Sequence, residues 1–167
     1  MVSYADSPRQ HTPNPMVGLS DVLDVTLSLD TSAYADNDVL AAPQEVTNFF
    51  RKPGGVAILQ SLELIDEDDQ AIDVDVVFLN ANGSIGNENA AFAPADSVAR
   101  TIIGKVSLTS TDYMDCSNSQ IAFKGLLGWP MKAAADTTSV WVAAVVRSGT
   151  PTFTASGIRL KIGVIWD

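Results

Sequence analysis

The most constraining feature of this sequence is the alternation of apolar and polar residues with a period of two. Leu23, Val25, Leu27 and Leu29 alternate with polar residues, and the pattern returns over residues 158–166. A period of two places successive side chains on opposite faces of a β-strand. No segment shows the 3.6-residue period of an amphipathic helix of useful length. The sequence therefore predicts an all-β protein.

Turn residues divide the chain into short predicted strands. A strand is favoured over a helix at 45–51, because a Lys-Pro-Gly-Gly turn follows it. Residues 35–43 are interpreted as a loop, 56–80 as a β-hairpin, and 80–99 as a long loop with a short helical turn near 94–99. The other predicted strands are 21–30, 101–109, 121–124, 126–131, 140–147 and 158–166. Eight or nine short strands at regular spacing indicate an antiparallel β-sandwich or barrel, and an antiparallel β-sandwich, jelly-roll-like in arrangement, is the expected fold.

The first twenty residues differ from the rest of the chain. They are polar and contain Pro8, Pro13 and Pro15, and proline cannot continue a helix or a central strand. We therefore expect an extended N-terminal arm at 1–20 and a β-sandwich domain at 21–167. The arm either packs on a neighbouring subunit or folds back on its own domain. Its candidate interface residues are Val2, Tyr4, Pro8, Arg9, His11, Pro13, Pro15 and Met16.

The charge of the chain is strongly acidic and unevenly distributed. Twenty acidic residues face ten basic ones, for a net charge of −10. Residues 1–83 hold 14 acidic and 3 basic residues, a sum of −11, while residues 84–167 hold 6 and 7, a sum of +1. Without a cluster of cations, direct nucleic-acid binding is disfavoured. The asymmetry indicates either a molecule with two electrically different sides or acids that merely solvate loops.

Residues for catalysis or transition-metal binding are few. The chain has one histidine, His11, which lies between prolines, and one cysteine, Cys116, which is interpreted as an ordinary buried or half-buried thiol. A nucleophilic triad needs a base beside its nucleophile, and zinc needs several His or Cys ligands. No phosphate-binding loop motif is present. We expect no enzyme activity, no catalytic residues, no cofactor and no metal site. No apolar run approaches ~18 residues, so no membrane partner is expected.

One acidic segment leaves an alternative open. Residues 66–69 are all acidic, and Asp73 and Asp75 follow on what would be one solvent-facing strand face. Carboxylates at this density are compatible with an opportunistic Ca²⁺ or Mg²⁺ site, although the spacing does not match the helix-flanked calcium loop. The other interpretation is a solvated turn and a charged edge that resists aggregation.

The three tryptophans of the chain differ in their expected roles. Trp141 alternates with valines and is interpreted as a core residue, and Trp166 ends the last predicted strand. Trp129 stands between Gly128 and Pro130. It is a candidate interface residue or sugar-binding platform, or else the support of a corner.

Several stretches resemble a group of tailed-bacteriophage virion structural proteins. They are DVTLSLDTSAYA at 24–35, LQSLELIDEDDQ at 59–70, FLNAN at 78–82, GNEN at 86–89, GTPTF at 149–153 and SGIRL at 156–160. The resemblance covers roughly residues 22–165 and consists of turn and strand patterns. The arm lies outside it.

The resemblance implies a capsid decoration, or cement, protein. Such a protein would form a homo-oligomer, with a trimer as the expected number, and would bind the major capsid protein. Its location would be the capsid surface of the virion, after synthesis in the host cytoplasm. Two alternatives stay open: a tail or fibre-associated virion protein, and an outward-facing carbohydrate-binding module.

Overall fold

The computed structural model describes residues 19–166, and these are almost entirely β-structure. A single-turn helix, α1 (Asp96–Ala99), and a 3₁₀ turn at Ser110–Asp112 interrupt the strands. The described residues form ten strands: β1 (Ser20–Thr26), β2 (Val39–Val46), β3 (Val56–Asp66), β4 (Val74–Leu79), β5 (Ile102–Leu108), β6 (Tyr113–Asp115), β7 (Gln120–Lys124), β8 (Trp129–Lys132), β9 (Val140–Val146) and β10 (Ile158–Trp166).

The strands form two antiparallel sheets. The larger sheet has the order β1-β10-β3-β7-β6, and the smaller has the order β2-β9-β4-β5. Strand β8 also belongs to the larger sheet: β7 and β8 pair with the same edge of β3, each with a different half of that strand. If β7 and β8 are taken as one interrupted strand and the three-residue β6 is set aside, the two sheets have four strands each, and their orders match a jelly roll built from two Greek keys. The all-β, jelly-roll-like sandwich predicted from the sequence is therefore confirmed.

A continuous apolar core fills the space between the sheets. Strands β3 and β10 send alternate side chains into it, among them Leu62, Leu64 and Leu160. Aromatic residues add volume, with the rings of Phe49 and Phe50 in edge contact at 4.9 Å between centroids. Burial of this apolar surface is the main favourable contribution to the folding free energy.

The sequence assignment around residues 35–51 was wrong. The expected loop at 35–43 contains most of strand β2, and the expected strand at 45–51 continues β2 only to Val46, after which Phe49 and Phe50 lie in a buried turn. Strand β2 pairs with β9 through two register irregularities. Bulges of this kind break the period-two pattern that identifies a strand.

The predicted hairpin at 56–80 was also wrong. Strand β3 belongs to the larger sheet and β4 to the smaller, so the acidic turn between them carries the chain across the sandwich. Alternation shows that a segment is extended but does not show which strand it pairs with. The helical turn expected near 94–99 is confirmed by α1.

Strands from the two halves of the chain alternate in both sheets. The acidic first half and the near-neutral second half therefore do not form two separate sides of the molecule. Strand β1 begins at Ser20, and the Trp166 amide donates to the Leu19 carbonyl at 2.8 Å, so the two ends of the described chain meet. Across residues 19–166, no helix has the length and apolar character needed to cross a membrane.

Candidate interaction surfaces

Most of the sequence-predicted interface residues lie outside the described part of the chain. Only Trp129 falls within it. The others are Val2, Tyr4, Pro8, Arg9, His11, Pro13, Pro15 and Met16.

Trp129 lies at an edge of the sandwich. It belongs to β8, and its side chain reaches Gly104 of β5 in the opposite sheet, where a Cβ added to Gly104 would lie 3.8 Å from Trp129 Cε2. The same Cβ would lie 2.6 Å from Met131 Cε, so the absence of a side chain at Gly104 gives both residues room. Trp129 is 44% exposed. It therefore closes an edge between the sheets and keeps part of its ring available to a partner.

The other two tryptophans have structural contacts. Trp141 is half-buried and packs against a second apolar cluster outside the main core. Trp166 ends β10, and its indole Nε1 donates to the Phe49 carbonyl at 2.8 Å. That hydrogen bond links the end of the larger sheet to the turn after β2.

The acidic turn uses its carboxylates as hydrogen-bond acceptors within the protein. The buried carboxylate of Asp66 accepts from the backbone amides of Asp68, Gln70 and Ala71 at 2.7–3.0 Å. Burial raises the pKa of Asp66 above its usual value, although the three backbone hydrogen bonds act in the opposite direction and lower it. Asp68 accepts from both the amide and the hydroxyl of Thr154. These contacts support a structural role for the turn.

Asp75 was expected on a solvent-facing strand face and is instead buried. It lies in β4, where Ser107, Lys105 of β5 and Arg147 donate to its carboxylate. Burial by itself would raise the Asp75 pKa, but these hydrogen bonds together lower it below the usual value. The correction has a physical reason: a buried carboxylate is tolerated when cations and donors compensate it. Within residues 19–166, no three His, Cys, Asp or Glu side chains form a group suited to hold a metal ion.

Cys116 is exposed, and the expectation of a buried or half-buried thiol was wrong. It lies in the turn between β6 and β7, next to Ser117, whose φ is 74°. Turns that connect neighbouring strands run over the surface, so the side chain of Cys116 is accessible to solvent.

The outer face of the smaller sheet is covered by the chain itself. Outward side chains of this sheet, such as Val77 and Val145, form a cluster with Ile85 of the long loop, and Phe92 and Val98 pack against it. The Arg147 guanidinium carbon also lies 5.9 Å from the centre of the Phe92 ring. The loop at 80–101 therefore acts as a third layer over the centre of this sheet, where both faces are buried, while Glu45 and Lys105 on the same outer face stay exposed.

The outer face of the larger sheet has no such cover within the described residues. We call this surface the open face and define it by its outward apolar side chains. They are Val22, Val56, Ile58, Ile65, Met114, Ile121, Phe123 and Ile165. Their orientation follows from strand register and from the burial of alternate residues.

The open face holds four of the six exposed large apolar side chains in residues 19–166. These four are Val22 at 57% exposure, Val56 at 38%, Met114 at 52% and Phe123 at 50%. The face also carries charge, because Asp24, Lys161 and Glu63 form a row between Val22 and the apolar row that ends at Met114. Exposed apolar side chains gathered on one face are typical of an interaction site. Sequence reasoning missed this face because it did not determine which strands are neighbours.

Two grooves mark the surface. One of about 540 Å³ crosses the open face, where Val22 of β1, Ser61 of β3 and Gly163 of β10 lie side by side. A second groove, of about 360 Å³, lies between Pro43 of β2 and the polar residues of the 82–88 loop. Trp129 lines neither groove.

Comparison with known proteins gives little. No protein-family model and no curated protein matches the chain. Among solved structures, a chain of desmodium yellow mottle tymovirus is similar over 88% of this chain and 80% of its own, with 12% sequence identity and a TM-score of 0.29. At this TM-score the likeness carries no functional conclusion. The two-sheet jelly roll rests on the strand order described above.

Proposed function

We propose that this protein is a virion structural protein that decorates and stabilises a phage capsid. In this proposal it binds the major capsid protein as a homo-oligomer, for which a trimer is the expected number, and it bridges shell subunits with its sandwich domain and N-terminal arm. The observation that carries the proposal is a jelly roll with a filled interior and an uncovered apolar sheet face. Such a body is suited to adhesion.

The interior of the sandwich argues against a ligand-binding barrel. Jelly rolls occur in viral capsid domains, lectins and cupins, so the fold by itself does not choose a function. In this protein, apolar side chains such as Leu40, Leu59 and Phe78 fill the space between the sheets. Both grooves described above lie at the surface. A function located at the surface fits this construction best.

Multiple weak contacts explain how such a protein would hold a shell together. Each subunit of a homo-oligomer would contact a different shell subunit, and linked contacts raise the effective affinity by about 10²–10⁴ without any new bond. An arm that becomes ordered on binding adds buried surface at an entropic cost. The net charge of −10 disfavours attachment through the packaged nucleic acid.

Co-sedimentation with expanded empty shells of the parent phage tests this proposal. We expect saturable binding of the full chain, weakened about tenfold by the double substitution of Tyr4 and Arg9 to Ala. The matched control is the double substitution of Ser3 and Gln10 to Ala, which changes the arm at polar positions outside the candidate set. A full chain that stays in the supernatant at every shell concentration would contradict the proposal.

Two alternatives differ in location or ligand. Immunogold labelling of virions distinguishes a capsid position from a tail or fibre position. A carbohydrate-binding role draws support from the partly exposed ring of Trp129. Binding of glycans on an array, with loss of the signal in Trp129→Ala, would favour that role.

A further inference from the structure

We infer that the open face of the larger sheet packs against a second copy of this chain. This inference rests on the homo-oligomer of the proposed function and deepens it, because it names the surface through which the copies meet. Two identical faces in contact are related by a two-fold axis, so the inference gives a dimer in place of the trimer that the resemblance implies. It is argued from the covering of the two sheets, the area of the face and the distribution of charge.

The two sheets differ in whether their outward apolar residues are covered. The smaller sheet buries Val77 and Val145 beneath the 80–101 loop. The larger sheet has a continuous apolar row that runs across three strands, from Met114 through Ile121 to Ile65, and no described residue lies over it. A sheet that is apolar on both faces needs a layer on both faces, because exposed apolar area costs free energy.

The open face is large enough for a stable interface. The six strands of the larger sheet contain 39 residues, which at ~3.3 Å per residue and ~4.8 Å between strands give a face of roughly 620 Å². Two such faces would bury roughly 1,240 Å², at the lower end of the range of about 1,200–2,000 Å² for specific protein interfaces. The area of one face therefore matches what a pair of copies requires.

Charge favours a second copy as the occupant. The outward charged residues of the larger sheet are Asp24, Glu63, Lys132, Arg159 and Lys161, and they sum to +1. The remainder of the chain then sums to −11, because the total is −10. Two copies that meet through other surfaces bring acids together, whereas two open faces, each with a charge of only +1, meet with little repulsion. Lys161 and Glu63 already neutralise each other at 3.3 Å.

The groove on the open face provides shape for this contact. Gly163 of β10 lines the groove and has no side chain, and Ser61 Oγ occupies the space that a Cβ at Gly163 would take, 2.2 Å away. Phe123 projects from the same face and is half exposed. A projecting ring and a depression on one surface let two identical faces interlock.

Sedimentation equilibrium on the purified full chain tests the inference. We expect the wild type to show about twice the monomer mass of 17.7 kDa. Phe123→Asp on β7 and Val22→Asp on β1 each place a charge on the open face, and we expect each to raise the dissociation constant at least about tenfold. The matched control is Leu126→Asp, which changes a residue that is 89% exposed and outside the open face, and we expect no effect on the mass.

A measurement on the wild type keeps the test independent of folding in the variants. Met114 lies on the open face, so we expect its oxidation by peroxide to slow as protein concentration rises. Circular dichroism establishes that each variant is folded.

Three outcomes would overturn the inference. The first is a wild type that is monomeric at about 100 μM, a concentration about ten times a dissociation constant of 10 μM. The second is that folded open-face variants associate as well as the wild type. The third is Met114 oxidation that does not depend on protein concentration. A monomeric wild type that still binds shells would overturn the inference and leave the proposed function standing. Variants that stay oligomeric but lose shell binding would assign the face to the capsid protein instead.

Discussion

Arg147 and Asp75 form an ion pair beneath the covering layer of the smaller sheet, with Arg147 Nε 2.7 Å from Asp75 Oδ2. Lys105 Nζ lies 3.1 Å from the other carboxylate oxygen, so the single buried carboxylate of Asp75 partly compensates the charges of two bases. The side chains of both bases are partly exposed, which gives the cluster access to solvent and moderates its contribution to stability.

Removal of the Asp75 charge is expected to destabilise the fold. In Asp75→Asn the two cations lose their buried partner. We expect the free energy of unfolding to fall by about 2 kcal/mol. This loss is small for a buried ion pair, because the two bases are partly solvated. Urea denaturation at pH 7 measures this change. Asp136→Asn, at an exposed position in the turn after β8, is the control and should change stability by less than about 0.5 kcal/mol.

The same cluster makes a prediction for acid stability. The pKa of Asp75 is lowered in the folded state, so its contribution is fully present above the unfolded value near 4 and is lost as the pH falls through the folded pKa. We therefore expect the stability of the wild type to fall more steeply below about pH 4 than that of Asp75→Asn. Parallel slopes for the two proteins in urea titrations from pH 5 to pH 2 would contradict this assignment.

The hydrogen bond of Trp166 is expected to stabilise the junction between β10 and the turn after β2. Trp166→Phe keeps an aromatic ring but leaves the Phe49 carbonyl without its 2.8 Å indole donor. We expect a loss of about 1–2 kcal/mol, measured by chemical denaturation. Trp129→Phe, at the more exposed position, is the control, and an equal loss there would show that ring size rather than the hydrogen bond is responsible.

Gly157 and Asp68 are expected to be energetically coupled. A Cβ added to Gly157 would lie 1.7 Å from Asp68 Oδ2, the atom that accepts both hydrogen bonds from Thr154. Gly157→Ala should therefore cost about 1–3 kcal/mol by displacing this carboxylate. In an Asp68→Ala background most of that cost should disappear, and a double-mutant cycle measures the difference. Additive effects of the two substitutions would argue against the contact.

Ile85 is expected to hold the covering loop on the smaller sheet. It is fully buried among the outward residues of that sheet, so Ile85→Ala removes apolar contact and leaves a cavity. We expect a cost of about 2–4 kcal/mol, measured by thermal unfolding together with increased hydrogen exchange over residues 80–99. The conservative control Ile85→Val should cost about 0.5–1.5 kcal/mol. Unchanged exchange in the Ala variant would contradict the role given to the loop.

Sequence reasoning predicted well the strands that alternate clearly or form an apolar run between turn residues. Strand β10 alternates and β9 is an apolar run, and their predicted limits of 158–166 and 140–147 agree closely with the structure. Period-two alternation did not identify strand β2, because Val39, Leu40 and Ala41 are all buried and its pairing with β9 is irregular. Period-two reasoning has no signal where both faces of a strand are covered.

The candidate surfaces were harder to predict for a related reason. Asp75 was interpreted as solvated because it is charged, although the apolar residues after it, Val76, Val77 and Phe78, indicate a strand buried on both faces. Its compensating bases, Lys105 and Arg147, come from distant parts of the sequence. The open face likewise combines residues of five strands. Neighbours of this kind follow from strand order, which a single sequence does not provide.

The meeting of Leu19 and Trp166 has a mechanical consequence. The amino-terminal end of β1 pairs with the carboxyl-terminal end of β10, and these strands are antiparallel. Tension applied between those two residues would open the ladder one hydrogen bond at a time, like a zipper, instead of shearing all of its bonds together. A load carried through the segment before Leu19 and resisted at Trp166 would therefore peel β1 away first and leave the remaining strands of the sandwich to bear it afterwards.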